Sequence, residues 1–215
     1  MSFLQGLKRR VMRRSRARKL DHFYSLYSGG TLLDAGVSSN EWDPSINLLL
    51  NTFRYPGDLY TGLGVQSLTD LATKHPDKRF VQYAGGRFPF PDKHFDWVHS
   101  NAVIEHVGDA DAQLEFLNEM LRVARRVFFT TPNRYFPIEA HTNVFLLHWL
   151  PGNWFYRWCE TSGTKWNRGN LALLSDSEVQ QLVRRSTATT YRIFRNRLFG
   201  WPLTFTVVCE SSVGP

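Results

Sequence analysis

Three stretches of this chain hold residue types that can do chemistry. Leu-Leu-Asp-Ala-Gly-Val-Ser-Ser-Asn, residues 32–40, ends an apolar pair on Asp34 and turns through Gly36. A missing side chain there lets backbone N–H groups come close to a ligand. Ser38 and Ser39 follow with small hydroxyls that can donate hydrogen bonds. Such an Asp-x-Gly turn serves a tight strand-to-helix connection as readily as a binding loop. Glu105-His106 in Ile-Glu-His-Val, and Glu139 with His141 in Pro-Ile-Glu-Ala-His-Thr, set carboxylate beside imidazole. Those types take up and release protons near neutral pH. His148 lies seven residues beyond His141 and could share a helical face with it. Together these groups could ligate a metal, but their spacing has none of the specificity of a His-Glu-x-x-His helix. No metal site is assigned.

Positioning these residues requires a sheet. From Thr31 the chain alternates short apolar runs with helical patterns, the order of a doubly wound α/β fold. Strands are expected at Thr31–Asp34, Leu59–Leu63, Arg79–Tyr83, Phe95–Ser100 and Arg125–Thr131. Helices are expected around Pro44–Phe53, Ser67–Lys74 and Asp109–Val123, the last burying Leu114, Leu117, Met120 and Leu121. Ser175-Asp176-Ser177-Glu178 has the form of a capping box opening a helix to Arg185. Two final runs, Thr-Thr-Tyr-Arg-Ile-Phe-Arg-Asn-Arg-Leu and Leu-Thr-Phe-Thr-Val-Val-Cys-Glu, read as a closing antiparallel hairpin. Ligands of such sheets bind at the carboxyl ends of the strands. That gathers Asp-Ala-Gly-Val-Ser-Ser-Asn, Gly-Leu-Gly-Val-Gln, Tyr-Ala-Gly-Gly-Arg and Ser-Asn-Ala-Val-Ile-Glu-His-Val into one crevice.

The formal charge of +7 is local. Eight of the 26 Lys and Arg fall in residues 1–20, which hold no acid, leaving 18 basic against 19 acidic residues beyond. A nucleic-acid-binding face spread over the fold is therefore not supported, and no nucleic-acid partner is expected. Phe3, Leu4, Leu7 and Val11 share one helical face among the arginines. A basic helix of this kind can lie on an anionic membrane surface through residues 3–19, act as a targeting segment, or be a solvated tail. Two cysteines, Cys159 and Cys209, make no disulfide framework, so a reducing cytoplasmic setting is expected, peripheral on the inner membrane face if the arm binds lipid. The expected organisation is a basic arm, 1–22, and a domain, 23–215, with an aromatic-rich insertion at 134–174.

Arg-Phe-Pro-Phe-Pro-Asp-Lys-His-Phe-Asp-Trp-Val-His-Ser-Asn-Ala-Val-Ile-Glu-His-Val, with Leu-Arg-Val-Ala-Arg-Arg-Val-Phe-Phe-Thr-Thr-Pro-Asn after it, resembles the class I S-adenosylmethionine-dependent methyltransferases (methyltransferase type 11-like domain) from about Leu32 to Asn133. Thr-Pro-Asn-Arg-Tyr-Phe-Pro-Ile-Glu-Ala-His-Thr further resembles a bacterial subgroup of surface-glycan and lipid-linked-sugar pathways. The resemblance implies a Rossmann-like seven-stranded sheet with a terminal hairpin and S-adenosylmethionine as methyl donor. It places Asp34, Gly36 and Ser38 around the donor's methionine part, Gly64 and Val65 by the ribose, Gly85, Gly86 and Arg87 near the adenine, and Ser100, Asn101 and Ala102 by the reacting methyl. Two acids usual in the family are replaced, at Gly64 and Gly85. Losing a charged acceptor for two ribose hydroxyls costs about 1.5–3 kcal/mol. Gln66, Asn40 or Asp70 could compensate.

The implied reaction moves a methyl group to a hydroxyl of a small-molecule, sugar or lipid-linked acceptor. His106 is the candidate general base, with Glu105 and His141 completing the candidate catalytic set. Two rival readings stand beside it: a methyltransferase-like protein that has lost catalysis and serves as a binding scaffold, and a nucleic-acid methyltransferase anchored by the arm. Phe145, Trp149, Trp154, Phe155, Trp158 and Trp166 make the insertion either a cap packed on the sheet or a roof over the acceptor that also meets lipid headgroups.

Overall fold

The computed structural model describes residues 3–40, 46–150 and 152–211, with side chains from Arg10 onward. A helix, α1 (Phe3–Leu26), leads into β1 (Leu32–Ala35), α2 (Leu48–Asn51), β2 (Tyr60–Gly64), α3 (Thr69–Lys74) and β3 (Arg79–Gln82). Then come β4 (Phe95–Asn101), α4 (Ala110–Val123), β5 (Ala124–Pro132), α5 (Gly152–Thr161), α6 (Asp176–Arg185), β6 (Thr190–Leu198) and β7 (Trp201–Glu210). The strands form one seven-stranded sheet in the order β3-β2-β1-β4-β5-β7-β6. β1 to β5 run parallel, and β7 and β6 return antiparallel, giving the expected doubly wound sheet with its closing hairpin.

Side-chain alternation along each strand loads both faces of the sheet. Leu33, Val98, Val127 and Phe129 pack with Leu117 and Leu121 of α4 and Val179 and Val183 of α6. On the other face Leu32, Trp97 and Phe128 pack with Leu20, Phe23 and Tyr27 from α1 and the turn after it. α1 is thus continuous through the 22/23 boundary expected between arm and domain, and its last two turns belong to the core. The side chains of Phe3, Leu4 and Leu7, apolar positions of the basic helix, lie outside the described residues, as do Pro44 and Ser45 of the helix expected around Pro44–Phe53, of which the structure forms Leu48–Asn51.

α4 opens on Asp109, whose carboxylate accepts from the Asp111 and Ala112 amides, a cap worth about 1 kcal/mol. It buries Phe116, Leu117, Met120 and Leu121, while Leu114, expected in that stripe, is only partly buried and Gln113 takes a buried place by donating to the Ala172 carbonyl at 2.9 Å. Arg122, near its end, donates to the carbonyls of Phe88 and Phe90, which explains the Phe-Pro-Phe-Pro stretch structurally. The capping box expected at Ser175 and Glu178 is present.

Candidate functional site

The strand order reverses between β1 and β4, and there Asp34 lies opposite His99. Both Asp34 oxygens are engaged: Oδ1 is 2.9 Å from His99 Nδ1, and Oδ2 accepts from the Tyr60 hydroxyl at 2.7 Å. Burial, reinforced by the Asp34 charge, pushes the Tyr60 phenol well above its ordinary pKa, so it stays a donor. Gly36 has φ +105, and a Cβ there would come 2.3 Å from Val103 Cγ2. The Gly36 and Val37 amides both donate to the Leu63 carbonyl, at 2.8 and 3.1 Å, folding the loop over the end of β2. The Val37 carbonyl then stands 2.6 Å from where a Cβ on Gly64 would be. The glycine in place of the family's acid is therefore a steric requirement of this loop. Gly85 meets nothing within 4 Å of such a Cβ, but its φ of +93 lies in the left-handed region that favours glycine, which accounts for the second replacement.

A small open cleft lies beside this turn, lined among others by Arg16, Lys19, Asp34, Gly36, His99 and Asn101. Ser38 borders it through Asn47, which accepts from the Ser38 amide at 3.1 Å and donates to its carbonyl at 2.8 Å. Ser39 donates to Gln66 at 3.1 Å, tying the first loop to the second. Lys19 is buried and donates to Thr130 Oγ1 at 3.2 Å, which in turn donates to Asn101 at 2.8 Å. Burial chiefly, with repulsion from Arg16, lowers the Lys19 pKa to about 8, against a smaller pull from Glu105. Of the expected donor residues, Asp34, Gly36 and Asn101 line this cleft and Ser38 flanks it. Gly64 lies under the loop, while Val65, Gly85, Gly86 and Arg87 are exposed and outside the cleft lining.

Across the ends of β4 and β5 lies a second group. Neighbouring residues on a strand face opposite ways, so Thr130 meets Lys19 while Thr131 donates to Glu105 Oε2 at 3.0 Å on the far face. Glu105 is fully buried, and its Oε1 has no hydrogen-bond partner. His106 Nε2 and His141 Nε2 each lie 4.0 Å from that oxygen, and the two rings are 4.8 Å apart. His106 Nδ1 is 2.9 Å from the Asn170 carbonyl, and His141 Nδ1 is 2.7 Å from Glu139 Oε1. Burial opposes the Glu139 charge, but the bond and charge of His141, helped by Thr142, hold its carboxyl at about 2. His148 stands apart from the cluster, bonded to the Phe136 carbonyl and packed on Phe155.

The insertion is fastened to this group. The Ala172 amide donates to the Glu105 carbonyl at 2.7 Å, and the Trp166 ring stacks on His106 at 5.1 Å and meets His141 edge-on at 5.0 Å. Phe155 is buried in the insertion's own small core with Cys159 and Leu171, whereas Phe145 and Trp154 are exposed. Residues not foreseen include Lys19 and Arg16, counted in the arm, and Tyr60, His99 and Asn170. Tyr60 and His99 carry a signal in hindsight: polar atoms inside otherwise apolar strands need a buried partner.

Residues 62–127 match the family model described as a methyltransferase domain. No curated protein sequence matches the chain. Among solved structures, magnesium protoporphyrin IX methyltransferase from Synechocystis, with S-adenosylhomocysteine bound, is similar at 11 % identity and a TM-score of 0.62, covering 99 % of this chain and 89 % of that one. An S-adenosylmethionine-dependent methyltransferase from Thermotoga maritima is similar at 14 % identity and 0.60, covering 98 % and 96 %. The 1,6-didemethyltoxoflavin-N1-methyltransferase of Burkholderia thailandensis is similar at 16 % and 0.57, covering 94 % and 78 %. The resemblance carried by the Phe-Pro-Phe-Pro-Asp and Ile-Glu-His-Val stretches thus holds: residues 62–127 match the methyltransferase-domain model, and the chain shares the fold of solved S-adenosylmethionine-dependent methyltransferases.

Proposed function

We propose that the protein transfers a methyl group from S-adenosylmethionine to a hydroxyl of a small-molecule, sugar or lipid-linked acceptor. The observation that carries this reading is the placement of a cationic, glycine-floored cleft and an imidazole–carboxylate cluster on either side of the β4 and β5 ends. The cleft fits the donor's amino-acid end: Arg16 and Lys19 supply positive charge for its carboxylate, and Gly36 allows close approach. With Gly64 unable to carry an acid, Gln66, two residues on, and Ser39, hydrogen-bonded to it, are the polar groups offered to the ribose.

When bound, S-adenosylmethionine supplies a methyl carbon on a positively charged sulfur. Glu105, His106 and His141 would receive the acceptor's hydroxyl proton as the methyl group passes from the donor sulfur, which keeps the electron pair of the broken carbon–sulfur bond. With Nδ1–H of each histidine directed at Asn170 or Glu139, the Nε2 atoms are the proton-accepting faces. Trp166 shields that face from water, and positioning supplies much of the rate because the donor is already activated.

The lipid-linked form of the acceptor, and attachment to the inner membrane face, draw support from exposed Phe145, Trp154, Phe199 and Trp201 on the insertion and the hairpin. Calorimetric titration with S-adenosylmethionine and S-adenosylhomocysteine tests the reading: no binding at millimolar ligand would sink it. His106→Ala should keep donor affinity and lower turnover, and an unchanged rate removes the cluster from the mechanism.

A further inference from the structure

We infer that Glu105, His106 and His141 form a binding site for one divalent transition-metal ion of the zinc type. Glu105 Oε1 is fully buried and makes no hydrogen bond, although buried carboxylates are ordinarily satisfied. Two imidazole nitrogens face it at 4.0 Å, too far for a proton on either to bridge. All three atoms lie within 4.8 Å of one another. Ligand atoms around tetrahedral zinc are roughly 3.3 Å apart, so shifts of roughly half an ångström or more per side chain close the site.

The second layer matches a metal centre better than a set of chance contacts. Histidines that ligate metals give their other N–H to a carbonyl or carboxylate, which fixes the tautomer and turns the free lone pair inward. His106 does this to the Asn170 carbonyl at 2.9 Å, and His141 does it to Glu139 at 2.7 Å. The Thr131 hydroxyl holds the remaining oxygen of Glu105 at 3.0 Å, leaving Oε1 directed at the histidines. Imidazole with a single carboxylate suits zinc, iron, cobalt or nickel rather than calcium or magnesium. Three protein ligands leave an open position, the arrangement of ions that act on substrate. Its side chains keep partial exposure, 29 % for His106 and 15 % for His141. With the ion bound, the Nε2 lone pairs are ligands rather than proton acceptors, and the ion itself would ease loss of the proton from an acceptor hydroxyl at the open position to solvent. That last role rests on the proposed methyl transfer; binding of the ion does not.

Cobalt(II) added to the chelator-treated full chain is the probe. One equivalent should bind with visible d–d absorption of a four- or five-coordinate ion, and zinc should displace it. His106→Ala and His141→Ala should each weaken binding at least a hundredfold, and Glu139→Gln, which touches no ion, roughly 10- to 100-fold. Thermal melts of the variants separate lost ligation from lost folding, and His141, being partly exposed, is the safer of the two. Cobalt binding unchanged in both histidine variants, or absent from wild-type chain that still binds S-adenosylmethionine, overturns the site while leaving the methyl-transfer reading intact. A chain that binds cobalt as described but not the donor leaves the site standing and overturns that reading alone.

Discussion

Asp34 and Glu105 are both buried carboxylates at the carboxyl edge of the sheet, and each faces a histidine, yet one assembly is closed and the other open. Asp34 gives both oxygens to partners within 2.9 Å, His99 and Tyr60. Glu105 gives one to Thr131 and leaves the other without a hydrogen bond, 4.0 Å from two imidazoles. A carboxylate with a short hydrogen bond on each oxygen holds neighbouring strands in register. One with an oxygen left over holds potential for a proton or a cation, at a cost in stability. On the proposed reading the first is chiefly architecture and the second is chemistry.

The sharpest way to break that comparison is to remove each carboxylate. Asp34→Ala strands the Tyr60 hydroxyl and the His99 nitrogen in the core and should cost about 4 kcal/mol, the scale for losing one partner of a buried pair. Glu105→Ala also removes a desolvated, half-paired charge, so its cost should be near 1 kcal/mol while turnover collapses. Urea unfolding midpoints with constant m-values read both. Equal losses at the two positions would erase the distinction between closed and open.

Much of the closed assembly's frame was legible along the chain, because alternating apolar runs define strands and β1 to β5 start or end within about a residue of where hydrophobicity places them. Asp34 and Gly36 stood out for the same reason, as polar and flexible residues breaking an apolar pattern. The partners did not, since His99 and Tyr60 are recognisable only once the register sets His99 opposite Asp34 and β2 beside β1. Lys19 was hidden by its neighbours: in a run of arginines nothing local marks a cation that turns inward. The open cluster depends on contacts over long separations, His106 to His141 and His106 to Asn170, bridged by an insertion with little periodicity. His148, seven residues from His141, looked like a partner by helical spacing, but the segment folds as turns and the spacing has no meaning there.

Acid titration sharpens the comparison next. Glu139 anchors the open cluster, with its carboxyl held at about 2 against an ordinary 4.5. A folded-state pKa below the unfolded one gives stability that is complete above about pH 5 and is lost as pH falls toward 2. For this group the loss is about 3 kcal/mol, from the size of the depression. Glu139→Gln should be less stable at pH 7 and show a flatter stability curve between pH 5 and 2. Parallel curves for variant and wild type would mean that Glu139 is not held by His141 and that the cluster's second layer is loose.

The smallest effect concerns the cation between the two assemblies. Lys19 has a folded-state pKa near 8, below the 10.5 of an ordinary lysine. The unfolded chain therefore binds the extra proton between those values, and stability rises with pH from about 8 upward. Donor binding should move the other way, because a carboxylate needs the ammonium form, so affinity for S-adenosylmethionine falls as pH climbs through 8. Lys19→Met keeps most of the volume, removes the buried charge, and should weaken donor binding about tenfold, or about 1.4 kcal/mol, while flattening both pH dependences. Calorimetric titration at pH 7 and pH 9 with the wild type and this variant measures it. If donor affinity ignores both pH and the substitution, Lys19 is a structural strut to Thr130 and Asn101. The cleft must then draw its positive charge for the carboxylate from Arg16.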